Sequence, residues 1–380
     1  MAHIKEVPRK GGRVAYEVHW EDGKHRQRTL HNRREAERLR RSIETELEKG
    51  ASTKVFLKSS VTVREAARQV LESERHRLKP VTYHGYKRIF EKRISERFGD
   101  QRITAVQRRD VQQWINTLSD LGLAAGTVNH HYIALKKIMK WAVVEQLIAI
   151  DPCANIVLPR KVKKHENKIL TLAEVERVAT HLNASAPYGL LVRFLAYTGL
   201  RVGEAAGLRV SDVELANRRI LVRQTAQHVP GGIVFGEPKS ARSTREVPVL
   251  DPKLLHDLKA HLLAHPRSGE PNALFWPGRT PGSREIDYSR VWDSSSFLRS
   301  YFNKAVEHAG LPKMRVHDLR HTAASLWLDM GFPPYEVSRW LGHANLATTD
   351  SIYSHLYPTD YSAHIQRFEE YRASKDQASA

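Results

Sequence analysis

A single cysteine, Cys153, in 380 residues leaves no partner for an intrachain disulfide and no basis for a thiolate metal cluster. Long apolar runs are missing as well. None approaches the ~18 residues that a membrane span needs, and the opening MAHIKEVPRKGG lacks the apolar region of a signal peptide. The expectation is a cytoplasmic protein of a reducing compartment, without membrane association. Acidic residues are in deficit, 42 Asp plus Glu against 61 Lys plus Arg, for a formal charge of +19. An excess of that size points to a polyanionic partner such as nucleic acid. The length predicts two or three domains, at ~100–200 residues each.

The residues best suited to chemistry lie between His317 and Tyr353. The stretch reads HDLRHTAASLWLDMG, then FPPYEVSRWLGHANLATTDSIY, two helical segments broken at Gly331, Pro333 and Pro334. His317 and Arg320 are three apart and share a helix face, while Leu319, Ala323, Leu326 and Met330 form an apolar stripe. A guanidinium fork matches two phosphate oxygens, imidazole donates or shuttles a proton, and the phenol of Tyr353 can attack phosphorus. Upstream, an apolar helix from Tyr188 to Tyr197 ends at Gly199, and a short helix from Val202 to Leu208 follows Arg201. Arg201 is thus placed at a helix start, where a phosphate would meet its guanidinium and free backbone N–H groups, with Glu204 one turn later to brace it.

Together these blocks resemble the tyrosine recombinases, or phage integrases. Thr198-Gly199-Leu200-Arg201-Val202-Gly203-Glu204, followed by Leu208 and Asp212, matches the family's first arginine block. His317/Arg320, Leu341-Gly342-His343 and Tyr353 with His355 match the second. Glu237-Pro238-Lys239-Ser240 resembles the β-hairpin segment carrying the family's lysine. The likeness covers roughly residues 170 to 357. It implies Arg201, Lys239, His317, Arg320, His343 and Tyr353 as catalytic residues, with Glu204 in support. Lys239 would be the general acid for the 5′ hydroxyl, and no metal or other cofactor would be needed. Tyr353 lies ten residues after His343, where nine is also common in the family. Tyr335, Tyr357 and Tyr361 lack the TTDSI before it and the x-His after it.

The fold expected is α+β and multidomain. Residues 1–55 read as a β-hairpin, with Val14, Tyr16, Val18 and Trp20 alternating and Asp22-Gly23 at the turn. A helix follows, striped by Ala36, Leu39, Ile43 and Leu47 and stopped at Gly50. Arg26 and Arg28 on its second strand are the candidate DNA contacts, and the unit resembles the arm-binding domain of integrases that hold two kinds of DNA site. Residues 58–151 read as four helices, Val63–Leu71, Thr82–Phe98, Arg108–Asp120 and Thr127–Glu145, with Thr104 and Thr127 as caps. Lys136 and Lys137 are its candidate DNA contacts, and it resembles the family's core-binding domain. Residues 152–168, with Pro152, Pro159, Lys163 and Lys164, read as a solvated linker along phosphates.

Residues 169–380 form the catalytic domain with a C-terminal tail, opened by the capping box Thr171-Leu172-Ala173-Glu174. In it, Arg219–Gln227, Ile233–Phe235 and Arg245–Val249 read as strands. A helix runs from Pro252 to about His265, and Trp276–Ser289 reads as an inserted loop.

The function expected is site-specific recombination through a 3′-phosphotyrosine intermediate. The partners implied are double-stranded DNA at crossover and arm sites, a homo-tetramer on DNA, and a possible bending protein and directionality factor. Non-integrating relatives such as transposases and dimer resolvases share these residues. Two rivals come from other classes. One is a metal-dependent nuclease on His317, His321 and His343, opposed by Arg320 among them. The other is a non-catalytic regulator with a helix-turn-helix at Pro334–Tyr353.

Overall fold

The computed structural model describes residues 1–9, 13–50, 53, 59–160, 168–236, 244–280, 282–283, 285–343 and 362–378. It is α+β, mostly helical with small antiparallel sheets, and divides into two compact units, Met1–Lys164 and His165–Ala380. Among the described residues no helix is long and apolar enough to cross a membrane.

The first unit opens on a sheet of three strands, β1 (His3–Arg9), β2 (Arg13–Glu21) and β3 (His25–Leu30), followed by α1 (Arg33–Glu48). Gly23 turns the β2–β3 hairpin at φ +82°, as Asp-Gly predicts. β1 is an addition to the expected hairpin. Its Pro8 argues against a strand in a sheet interior but is tolerated here because β1 is an edge. Val18 and Trp20 meet Ala36 and Ile43 in a small core, on which Tyr16, Leu39 and Leu47 also pack.

A second core in this unit is built by α2 (Val63–Glu74), α3 (Pro80–Ile89), which passes through a π-turn into α4 (Ser95–Phe98), α5 (Arg108–Asp120) and α6 (Ala125–Val144). The helices fall where their periodicity places them, but the caps do not. Thr62 caps α2 and Gln107 with Asp110 caps α5, whereas Thr104 lies in a 3-10 turn and Thr127 inside α6. The start of the expected linker is also structured. Cys153 is fully buried in this core, its carbonyl accepts from Tyr132 Oη at 2.9 Å, and Ile156 and Leu158 pack on the same core. Proline denies that stretch a helix without freeing it from the bundle.

The second unit begins with α7 (Leu172–Leu182), whose capping box forms as read, with Glu174 N donating to Thr171 Oγ1 and Thr171 N to Glu174 Oε2. It continues through α8 (Tyr188–Thr198), α9 (Val202–Ala206), β4 (Val213–Glu214), β5 (Arg219–Val222), β6 (Thr225–Val229), β7 (Gly232–Gly236) and β8 (Arg245–Pro248). The expected strand Arg219–Gln227 is two strands in two sheets: β5 lies between β4 and β8, and β6 pairs, among the described residues, with β7 alone. Next come α10 (Pro252–Leu263), the pair β9 (Gly278–Arg279) and β10 (Ile286–Asp287), α11 (Ser294–Phe297), α12 (Asn303–His308), α13 (Asp318–Asp329), α14 (Pro334–Leu341) and α15 (Ser362–Ala378).

Trp276, expected to open an inserted loop, is core. It is buried edge-on to Phe194 and stacked on His261, each with ring centroids 5.2 Å apart. The stripe expected on α13 is likewise too narrow. The helix is buried all round from Asp318 to Ser325, packed on α8 and α14, while Leu326 is half-buried and Met330 exposed.

Candidate active site

Three segments distant in sequence converge at the C-terminal end of α14. Three successive backbone carbonyls there have no helical partner among the described residues, and each is taken by a different arginine. Arg245 Nε donates to Trp340 O, Arg320 Nη2 to Leu341 O at 2.5 Å, and Arg201 Nη2 to Gly342 O at 3.1 Å. The partial negative charge of a helix C-terminus favours such cations. Arg320 is also fixed through Nη1 to Gly199 O at 2.7 Å, so the left-handed turn that ends α8 (Gly199 φ +60°) holds the arginine from α13. Gly342 ends α14 at φ +64°, and a Cβ there would lie 2.9 Å from Arg245 Cδ. Only glycine suits that position.

Beneath the arginines lies Glu204, 1% exposed, with both carboxylate oxygens accepting twice. Oε1 takes Arg201 Nη1 at 2.7 Å and Arg245 Nη1 at 3.0 Å; Oε2 takes Arg201 N at 2.8 Å and Arg245 Nη2 at 2.9 Å. Burial alone would push this carboxyl up, but the Arg245 and Arg201 guanidiniums outweigh it and hold it below its ordinary value. The brace expected from Glu204 is present. The Arg201 N–H expected to be free for a phosphate is not, because Glu204 occupies it. Two guanidiniums thus share one carboxylate and the third, Arg320, is held by carbonyls alone, leaving an excess of positive charge around the edge of Arg201 that remains about a third exposed. Such a cluster is complementary to a phosphodiester.

Arg245 is the residue that sequence reading missed. The signal was there: on the strand Arg245–Val249 it stands in phase with Val247 and Val249, both buried. An arginine on a buried face requires a buried carboxylate partner, and Glu204 is that partner.

The histidines sit in the same field. His317 lies at the start of α13, exposed on its outer edge, with its ring T-shaped to that of His321 at 5.2 Å. Loss of water on its inner side, then Arg320, Arg315 and Arg201, lower its pKa from the ordinary value. His321 is buried beside it and pushed down to about 4, by burial and then by His317. His343, directly after Gly342, is pushed down to about 3 by burial and by Arg320, Arg201 and Arg245. All three imidazoles are therefore neutral near pH 7 in the DNA-free protein, able to donate one hydrogen bond and accept another. Asp318 is fully buried and paired with Arg315 at 2.7 Å, fixing the loop that leads into α13.

Among the six residues expected to be catalytic, Arg201, His317, Arg320 and His343 are brought together. Lys239 and Tyr353 lie outside the described residues, as do Lys163 and Lys164 of the linker. The candidate DNA contacts of the first unit are placed less openly than expected. Register pairs Arg28 with Val18 and Arg26 with Trp20, which puts both arginines on the face that α1 covers, and Arg26 is bonded to Asp22 at 2.5 Å. The opposite face of the sheet carries Lys5, His19, His25 and Gln27. On α6, Lys136 donates to Tyr132 Oη at 3.3 Å and Lys137 pairs with Glu74 at 3.0 Å.

Comparison with known proteins places this arrangement. The model of the phage integrase family matches residues 168–360, and that of the phage integrase N-terminal SAM-like domain matches residues 62–119. The chain belongs to the phage integrase family. As an integrase-family protein it is a tyrosine-type site-specific DNA recombinase, a strand transferase of the kind found in mobile elements. A protein of Mycobacterium tuberculosis named as a prophage phiRv2 integrase is 29% identical over 270 residues, covering 70% of this chain and 68% of that protein. The ICEBs1 integrase of Bacillus subtilis is 28% identical over 296 residues, covering 74% and 75%. The same fold occurs in the Tn1549 transposon integrase solved with transposon right end DNA, at TM-score 0.63 and 21% identity, over 84% of this chain and 100% of that one.

Proposed function

We propose that this integrase cuts and rejoins double-stranded DNA with Tyr353 as nucleophile, for the integration or excision of the element that encodes it. The observation that carries the reading is the convergence of Arg201 and Arg320 on the carbonyls next to His343. Tyr353 Oη attacks the scissile phosphorus, the bond to the 5′ oxygen breaks, and Lys239 gives that oxygen a proton. The 3′ end remains on the tyrosine. The 5′ hydroxyl of a partner duplex then attacks the phosphotyrosine and restores the diester, so bond energy is conserved and no nucleotide cofactor enters. Ionising a phenol of ordinary pKa at pH 7 costs about 4 kcal/mol, and neutral His317 is the base that relieves it. Arg201, Arg320 and His343 hold the charge that grows on the phosphoryl oxygens, each such donor contributing roughly 3–4 kcal/mol.

Three DNA-facing domains serve this chemistry: residues 1–55 on arm sites, 58–151 on the crossover site, and 169–380 on the scissile phosphate, with 152–168 between the last two. The N-terminal contacts are drawn from the open face of its sheet as well as from Arg26 and Arg28. Lys136, Lys137, Lys163 and Lys164 follow the backbone of the crossover duplex. The working assembly is a homo-tetramer on DNA, with bending and directionality proteins as accessory partners. A tetramer is known for lambda integrase on a Holliday junction, whose fold this chain shares at TM-score 0.55 and 18% identity.

The test uses a duplex recovered by selection from a random pool, nicked so that a short 5′-hydroxyl fragment is lost after attack. In EDTA the wild-type chain should join the 3′ end covalently. Arg201→Ala and Arg320→Ala should slow adduct formation about 100- to 1,000-fold while the duplex still binds. An adduct that requires divalent metal, or rates untouched by either substitution, would overturn the reading.

A further inference from the structure

Arg245 has no role in the chemistry just described, yet it is buried and its guanidinium is held by both a carboxylate and a main-chain carbonyl. Its fork closes on both oxygens of Glu204 and its Nε on Trp340 O, while its methylene stem fills the space that a side chain on Gly342 would need. Glu204 uses the same two oxygens to hold the Nη1 and backbone N of Arg201. One guanidinium therefore sets two things: the orientation of the carboxylate that aims Arg201, and the height of the α14 end that Arg201 and Arg320 also grip. We propose that Arg245 is a positioning residue for strand cleavage, holding Glu204 and the end of α14 in the register that presents Arg201 to the scissile phosphate.

The proposal rests on the reading of Arg201 as a phosphate ligand. Lysine cannot replace this arginine fully, because a point charge on a flexible stem cannot close on two carboxylate oxygens and a carbonyl together. Nor is the salt bridge a mere surface ornament. Removing one partner of a buried pair costs the other part of its compensation, and here the residue left with Arg201 alone is the one that orients Arg201.

Full-length Arg245→Met and Arg245→Lys are compared with wild type on the selected nicked duplex. Both should slow adduct formation at saturating duplex about ten- to a hundredfold, while the Kd for the duplex stays within about threefold. Arg245→Met should also gain an acid limb in its rate profile beyond the one that protonation of His317 gives wild type. With its second guanidinium gone, burial drives Glu204 to take up a proton as the pH falls. Arg245→Lys keeps the charge and should recover the wild-type profile without the wild-type rate. A packing defect alone would shift no limb. Should Arg245→Met prove insoluble, the lysine variant decides through its rate at saturating duplex. Wild-type rates, or a loss confined to Kd, overturn the proposal. Arg201→Ala separates the two failures: if it is inactive while the Arg245 variants are normal, only the role of Arg245 falls. If Arg201→Ala is itself normal, the reading beneath it falls too.

Discussion

The two units handle their basic residues in opposite ways. In the second, Arg201, Arg245 and Arg320 are all bonded to main-chain carbonyls at the end of α14, and Arg201 and Arg245 also share one buried carboxylate, so their positions depend on one another. In the first, Lys137 pairs with Glu74, Arg33 with Glu37 and Arg40 with Glu44 across partly exposed helix surface. Exposed pairs of this kind contribute roughly 0–1 kcal/mol and exchange readily with solvent or with phosphate. The contrast separates charge that is preorganised for a reaction from charge that is available for binding.

The sharpest way to break the comparison is to disturb the point where the arginines meet. Gly342→Ala places an L residue at φ +64° and a Cβ against Arg245, so it should cost ~1–2 kcal/mol of stability in denaturant titration and more than tenfold in adduct formation. Retention of the wild-type rate would show that the three carbonyl grips do not govern the chemistry.

A smaller effect follows from the histidines. His321 and His343 have folded pKa values of about 4 and about 3, below the ordinary 6.5, so the unfolded chain binds protons that the folded chain refuses. Their contribution is complete above pH 6.5 and is lost as the pH falls from there toward about 4 for His321 and about 3 for His343, at up to about 1.4 kcal/mol per pH unit for each. Denaturant titrations along that range should show it, and His343→Asn should reduce the slope. A slope unchanged by that substitution would refute the depressed value for His343.

The smallest effects belong to the first unit. Lys137→Ala should change stability by under about 1 kcal/mol, yet weaken duplex binding and lower the salt dependence of log K by about one contacted phosphate. A large stability loss would mean that its pairing with Glu74 is structural and would erase the distinction between the two units.

The parts of this molecule legible in its sequence are those governed by local rules. Helical period, the Thr171 capping box and the Asp22-Gly23 turn depend on residues a few positions apart, and all three are found. Arg201, His317, Arg320 and His343 were legible through motif spacing, and they meet at one place. What escaped depends on pairing across long separations. Arg245 and Glu204 are 41 residues apart, and no local pattern joins a strand to the helix it braces. Which face of the N-terminal sheet is covered was open to misreading for the same reason. Arg26 and Arg28 alternate correctly, but only the packing of α1 decides that theirs is the covered side. Trp276 was read as loop because Gly, Pro and Ser follow it, although its partners Phe194 and His261 come from two earlier helices.

The proposed nucleophile is Tyr353, and its bond to DNA can be read directly. The adduct formed on the nicked duplex in EDTA should be digested and the nucleotide-bearing peptide sequenced by mass spectrometry, in wild type and in Tyr353→Phe. Modification is expected at Tyr353 alone in wild type, with no denaturant-stable adduct in Tyr353→Phe although the duplex still binds. A modified Tyr335, Tyr357 or Tyr361, or an undiminished adduct in Tyr353→Phe, would contradict it.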